Sequence, residues 1–142
     1  MKIKAYFVTY DNDFELNKTL KTFEKSGIKN YDYEITIINN FKEASVLLDD
    51  IKLKYKIVDN NTRPSFSTGH LARNWNECLV DGFKDLDDPD ADIVILSQND
   101  VEYNENITDV YCDFAASAPL PWLESSVKVD KLRTAWTLIF LL

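Results

Sequence analysis

Apolar runs of strand length alternate along this chain with stretches whose apolar residues recur at three- and four-residue spacing. That alternation predicts an α/β architecture, a mostly parallel sheet with flanking helices. The first strand is expected over residues 3–9, a run rich in β-branched and aromatic side chains. Asn12 and Glu15 then form a capping-box pattern, Leu16, Leu20 and Phe23 recur at helical spacing, and Gly27 supplies a stop. A second strand over residues 33–38 ends at Asn39-Asn40. Asn40 is placed to cap a helix with Phe41, Ala44, Leu47, Leu48 and Ile51 on its apolar face. A short third strand covers residues 55–58.

The polar stretch over residues 59–69 is too rich in turn formers to extend that strand and reads as a loop, with Ser67 or Thr68 capping the next helix. The buried stripe of that helix would be Leu71, Trp75, Cys78, Leu79 and Phe83, leaving Arg73, Asn74 and Glu77 on other faces. Residues 85–92 form an acidic connector that reads as a solvated turn. Residues 93–96 are a continuous apolar run of the kind buried on both faces of a sheet, and they deliver Ser97-Gln98-Asn99-Asp100 to its carboxyl edge. A last helix from about Ile107 would use Val110, Tyr111 and Phe114 as its face and end before Pro119 and Pro121. The tail over residues 135–142 is very apolar yet well short of the roughly 20 residues that span a membrane, so it reads as a truncated core strand.

A length of 142 residues fits one domain, here residues 1–142. With 45% hydrophobic residues, three Gly and four Pro, fibrous and disordered readings are excluded. The formal charge of -8 has the wrong sign for a protein that neutralises a phosphate backbone, so no nucleic-acid partner is expected. Cys78 and Cys112 show no metal-ligand spacing and read as two reduced core thiols. Met1-Lys2-Ile3-Lys4 runs straight into an alternating stretch without an apolar leader core. A cytoplasmic location and no transmembrane segment are therefore expected.

No GxGxxG follows the first strand and no GxxxxGK[ST] occurs, which removes the main evidence for dinucleotide and P-loop sites. His70 is the sole histidine and GxSxG is absent, so a serine-triad hydrolase lacks its parts. His70 itself reads as a capping or packing residue, with a phosphate contact as its functional option. In open α/β sheets ligands bind outside the carboxyl ends of the strands, where the strand order reverses. The candidates there are Thr9, Tyr10 and Asp11, then Asn39 and Asn40, then residues 59–61, then Gln98, Asn99 and Asp100. If the first and fourth strands are neighbours, Asp11 and Asp100 approach each other. An oxygen-rich site of that kind suits Mg²⁺ or Mn²⁺.

Thr9-Tyr10-Asp11, Ile37-Ile38-Asn39-Asn40, Leu71-Ala72-Arg73-Asn74 and Ile95-Leu96-Ser97-Gln98-Asn99-Asp100-Val101 occur in this order and spacing. Together they resemble a GT-A-fold glycosyltransferase, with the nearest likeness to glycosyltransferase family 2. The resemblance covers roughly residues 3–110, the donor-binding half, and implies a Rossmann-like nucleotide-sugar-binding fold and transfer of a sugar to a hydroxyl acceptor. It implies that Thr9, Tyr10 and Asp11 border the nucleoside and that Asn39, where the family commonly has Asp, contacts the base. Arg73 would approach the diphosphate, with Asn74 shaping that region. The family's Asp-x-Asp motif maps onto Gln98, Asn99 and Asp100, so Asp100 would hold the Mn²⁺ or Mg²⁺ while Gln98 stands at the first Asp position. A UDP-sugar is the family's default donor.

Residues 111–142 match the family poorly, and none of Asp113, Glu124 and Asp130 is placed as a catalytic base, which suggests a truncated or diverged form. Two other readings compete. A receiver-like signalling domain would use Asp59 as phospho-acceptor and Ser97 as switch hydroxyl, with Lys128 and Lys131 as poor candidates for its lysine. A non-catalytic binding module would use the apolar tail as an interface, which also offers a route to an oligomer.

Overall fold

The computed structural model describes residues 1–41, 43–60, 67–85, 87–117 and 137–141, with residues 67–70 and 137–141 described by their backbone alone. Strands β1 (Lys2–Thr9), β2 (Asp32–Asn39), β3 (Tyr55–Asp59) and β4 (Ile93–Gln98) form a parallel sheet, and β5 (Thr137–Leu141) adds antiparallel to β4. The order is β3-β2-β1-β4-β5. The chain therefore steps outward from β1 to β3, then returns to the other side of β1 with β4. Helices α1 (Asp13–Glu24), α2 (Ser67–Phe83) and α3 (Ile107–Ser117) flank the sheet. The expected α/β class with a mostly parallel sheet is the one observed. The apolar tail supplies the backbone of β5.

Side chains alternate across a strand, and β1 sends its two sets into two cores. Ile3, Ala5 and Phe7 meet Leu16, Leu20 and Phe23 of α1 and Cys112 of α3. Tyr6 and Val8 meet Cys78 and Phe83 of α2, with Leu71, Trp75 and Leu79 packed alongside. Residues 3–9 are buried throughout, which is why that stretch reads as apolar on both faces. Cys78 and Cys112 are buried free thiols in opposite cores, and burial pushes the Cys78 thiol up to about 12. Among the described residues no helix is long and apolar enough to cross a membrane.

Local signals set the ends of α1. The Asn12 side chain accepts from the Glu15 amide at 3.3 Å, and Gly27 sits at φ 90°, which a side chain adopts only with strain. Gly82 has a different reason to be glycine. A Cβ there would lie 2.6 Å from Cγ2 of the fully buried Val94. Alanine normally gains about 1 kcal/mol over glycine in a helix, but overpacking a stiff core costs about 1–3 kcal/mol. Gly82→Ala is therefore expected to lower stability, and a rise in the urea midpoint would show that α2 rides free of β4.

The segment after β2 corrects one expectation. Among the described residues no helix forms between residues 41 and 51. The chain instead runs as an irregular strap along α1, and helix side chains supply the hydrogen bonds that a helix would have made internally. Leu47 N–H donates to Asp13 Oδ2 (2.9 Å), Asp49 N–H to Asn17 Oδ1 (2.8 Å) and Lys52 N–H to Glu24 Oε2 (3.3 Å). Asn17 Nδ2 returns a bond to Leu47 O at 3.1 Å. Asp13, Asn17 and Glu24 fall on one helical face, so a single stripe holds the strap. Val46 and Leu53 are its buried anchors, while Leu47, expected on the apolar face, is 75% exposed.

Three further expectations change. Asn74 belongs to the buried stripe of α2 and not to another face, being 0% exposed. The inner face of α3 is Thr108, Tyr111, Cys112 and Ala115, whereas Val110 and Phe114 are exposed. The acidic connector is not merely a solvated turn, because Asp90 accepts from Lys2, Lys4 and Lys84 at 3.2, 2.7 and 2.8 Å. Pro119, Pro121, Glu124, Lys128, Asp130 and Lys131 lie outside the described residues, as do the side chains of Ser67, Thr68 and His70.

Candidate functional site

All four parallel strands end at one edge, and register aligns what they deliver. Thr9, Asn39 and Asp59 stand in one row across β1, β2 and β3, and Gln98 pairs with Val8 one position earlier. The reversal of strand order falls between β1 and β4, so Thr9 and the Gln98-Asn99-Asp100 turn flank the point where open α/β sheets take ligands.

At the end of β2, Asn39 is spent on structure. Its Nδ2 donates to Asp59 Oδ1 (2.9 Å) and Ala44 O (3.0 Å), and its Oδ1 accepts from Phe41 N–H (3.0 Å). These bonds wall a crevice of about 240 Å³ lined by Asn39, Phe41, Glu43, Ala44, Asp59 and Asn60, among others. Tyr10 is exposed on the rim and sets its ring edge-on to Phe41, centroids 5.6 Å apart. Asp11 beside it is exposed at φ 44°.

A part-buried asparagine relay links three segments. Asn60 Nδ2 donates to Asn40 Oδ1 (2.9 Å) and to Asn74 Oδ1 (3.2 Å), while Asn40 N–H donates to Thr9 O (3.0 Å). Asn40 and Asn60, both expected among the strand-end candidates, thus belong to the candidate site through their side chains. No local signal marks their bonding to one another or to Asn74, since the three amides come from separate stretches of chain.

Several polar atoms here are buried with no hydrogen-bond partner among the described residues. They include Thr9 Oγ1, Asn74 Nδ2, Trp75 Nε1 and Asp100 Oδ1. Leaving a buried polar group unsatisfied costs about 1–3 kcal/mol each; Thr9 stands at the end of β1 and Asp100 just beyond that of β4, with Asn74 and Trp75 on α2.

The expected residues approach from two sides of the sheet. The turn after β4 leans over the α1 face, where Thr19 Oγ1 donates to Asn99 O at 2.9 Å and Val101 and Tyr103 enter the core. Arg73 and Asn74 lie on α2, packed against the opposite face, and the exposed Arg73 pairs its Nε with Glu77 Oε1 at 2.8 Å. An exposed pair one helical turn apart contributes about 0.3–0.5 kcal/mol.

No protein-family model matches this chain, and no curated protein sequence matches it. The functional reading therefore rests on the chain's own geometry and on the likeness of its motifs.

That geometry separates the competing readings. A receiver-type fold has the order 2-1-3-4-5, whereas here β3 lies at the sheet edge. Ser97, its would-be switch hydroxyl, is 0% exposed and donates to Gln98 O at 3.0 Å. For a metal, β1 and β4 are neighbours as an approach of Asp11 to Asp100 requires. Among the described residues no group of three His, Cys, Asp or Glu side chains gathers to form a cage. One carboxylate with an unpartnered buried oxygen fits an ion that takes its other ligands from water and from substrate phosphates, as Mg²⁺ does.

Proposed function

We propose that this protein binds a nucleoside-diphosphate sugar, with UDP-sugar as the default, at the carboxyl edge of its sheet and transfers the sugar to a hydroxyl acceptor. The observation that carries the proposal is the pair of unpartnered buried polar atoms Thr9 Oγ1 and Asp100 Oδ1 beside the reversal of strand order, with Asn74 Nδ2 on α2 in the same condition among the described residues. The ordered likeness of residues 3–110 to a GT-A glycosyltransferase supplies the reaction class.

Each part of the donor has a counterpart. Tyr10 and Phe41 offer ring faces and edges to a nucleobase, and the crevice beside Asn39 and Asp59 offers polar contacts. Thr9 Oγ1 and Asn74 Nδ2 can donate to oxygens of the diphosphate, and the guanidinium of Arg73 can neutralise part of its charge. Asp100 would hold the divalent ion, Mg²⁺ or Mn²⁺, which supplies Lewis-acid stabilisation of the departing diphosphate. In the transfer, the acceptor oxygen bonds to the anomeric carbon as the bond from that carbon to the diphosphate breaks. The electron pair leaves with the nucleoside diphosphate. The acceptor proton passes to a base that no described residue is assigned to be.

A thermal-shift and calorimetric panel of UDP, GDP and ADP, with and without Mn²⁺, tests the reading on the intact protein and on Asp100→Ala. One diphosphate is expected to raise the melting temperature in a metal-dependent way, with that dependence lost in the variant. Equal stabilisation of both proteins would remove Asp100 from the site, and no stabilisation by any diphosphate would end the proposal.

A further inference from the structure

Both amide hydrogens of Asn60 are committed, one to Asn40 Oδ1 and one to Asn74 Oδ1. An asparagine side chain carries an acceptor on one side and a donor on the other, and which side faces a ligand decides what that ligand can be. With its Oδ1 held by Asn60, Asn74 turns its Nδ2 away from the relay, and this nitrogen has no partner among the described residues although Asn74 is 0% exposed. Trp75, the next residue of the same helix, buries an Nε1–H in the same condition, and an indole nitrogen can only donate. Two adjacent side chains of α2 therefore bury donors without acceptors among the described residues.

We infer that Asn60 is a positioning residue that fixes Asn74 as a hydrogen-bond donor, so that this part of the site selects a ligand oxygen that accepts, such as a phosphoryl oxygen, over one that donates. The inference rests on the diphosphate-binding reading above and adds a residue to it. Asn60 need not touch the ligand. It acts by denying Asn74 the opposite orientation.

The discriminating substitution is Asn60→Asp, which keeps size and shape but replaces two donated hydrogens by acceptors. Asn74 would then turn its Nδ2 to the new carboxylate and present its carbonyl oxygen to the ligand. Asn60→Ala removes the hold without reversing it. With UDP and Mg²⁺ as probe, Asn60→Asp is expected to weaken binding by about 10-fold or more beyond Asn60→Ala, the scale of a hydrogen bond exchanged for two facing acceptors. Repulsion by the added charge weakens with salt as far as solvent reaches this half-buried position, whereas a reversed amide is insensitive to salt. The difference should therefore persist between 0.05 and 0.5 M NaCl.

A merely structural Asn60 predicts the opposite ranking, since the isosteric change disturbs packing less than alanine does. Nitrogen-15 labelling of asparagine gives a readout that survives a variant that fails to fold: the Asn74 side-chain amide pair of the wild-type protein should shift on UDP titration. An unmoved Asn74 pair in a protein that binds UDP, equal losses in the two variants, or a difference that vanishes at high salt would each overturn the role of Asn60 and leave diphosphate binding intact. Failure of the wild-type protein to bind UDP or inorganic pyrophosphate would instead overturn the diphosphate reading, and this inference with it.

Discussion

Phe7→Ala is expected to cost about 3–5 kcal/mol, the range for removing a fully buried ring from a core that collapses only partly. Phe7 is 0% exposed at the centre of β1, and its ring meets Phe23 of α1 edge-on at 5.1 Å and Tyr103 at 6.3 Å. Phe23 and Tyr103 meet each other at 4.8 Å. The three rings join the central strand, the first helix and the chain just after Asp100, so one cavity loosens all three. A typical domain has about 5–15 kcal/mol of stability, and a loss of this size removes a large share of it. Equilibrium denaturation should show a lower midpoint at unchanged slope, because the surface exposed on unfolding barely alters. Phe7→Leu should recover most of the loss. A cost below about 1 kcal/mol for the alanine variant would mean that the ring cluster is not a packing centre.

The same cluster bears on the site. Tyr103 N–H donates to Thr22 Oγ1 at 3.0 Å, and Thr19 Oγ1 holds Asn99 O, so α1 fixes both sides of the turn that carries Asp100. The turn is thus set by hydrogen bonds to one helix and by rings packed below it. Residues at the end of a rigid strand and pinned from beneath are well suited to hold a ligand without reordering.

Which features could be read from the chain follows from where their partners lie. The strands β1 and β4 were legible because burial on both faces leaves an apolar run, and the Asn12 cap because its partner Glu15 is three residues away. The segment over residues 41–51 misled because its apolar spacing is helical while the groups that satisfy its backbone, Asp13, Asn17 and Glu24, lie 28 to 34 residues earlier. Local spacing carries no trace of such partners. Asn74 misled for the same reason. An amide is ordinarily assigned to a solvated face, and it is buried here because Asn60 arrives from β3 to bond it. The candidate positions at the strand ends were legible from polar residues following apolar runs. The relay that organises Asn40, Asn60 and Asn74 required the fold.

Lys4 is the other residue that the apolar pattern conceals, and its partner carries the second large effect. It stands in the central strand with its side chain 5% exposed, and its Nζ donates to Asp90 Oδ2 (2.7 Å) and Asp81 O (3.1 Å). Asp90 also takes Lys2 and Lys84, and these three lysine hydrogen bonds, Lys4 first, hold its carboxyl far below the ordinary 3.8. Because the folded state binds the proton of Asp90 less readily than the unfolded chain does, the unfolded chain takes up more protons in acid. Stability contributed by Asp90 is therefore fully present above about pH 4 and lost as pH falls below that value toward the depressed folded one. Asp90→Asn leaves the buried ammonium of Lys4 without its carboxylate, a loss moderated by the 33% exposure of Asp90. The variant should melt well below the wild-type protein at pH 7, and the gap should narrow as both are taken from pH 4 toward pH 2. Lys4→Met in the same background should restore part of the loss, because an apolar side chain of similar length needs no counter-charge. A gap that stays constant across that acid range would show that the lysines draw nothing from the charge of Asp90, and that the acidic connector is held to β1 by backbone contacts such as Asp92 N–H to Lys2 O at 2.9 Å.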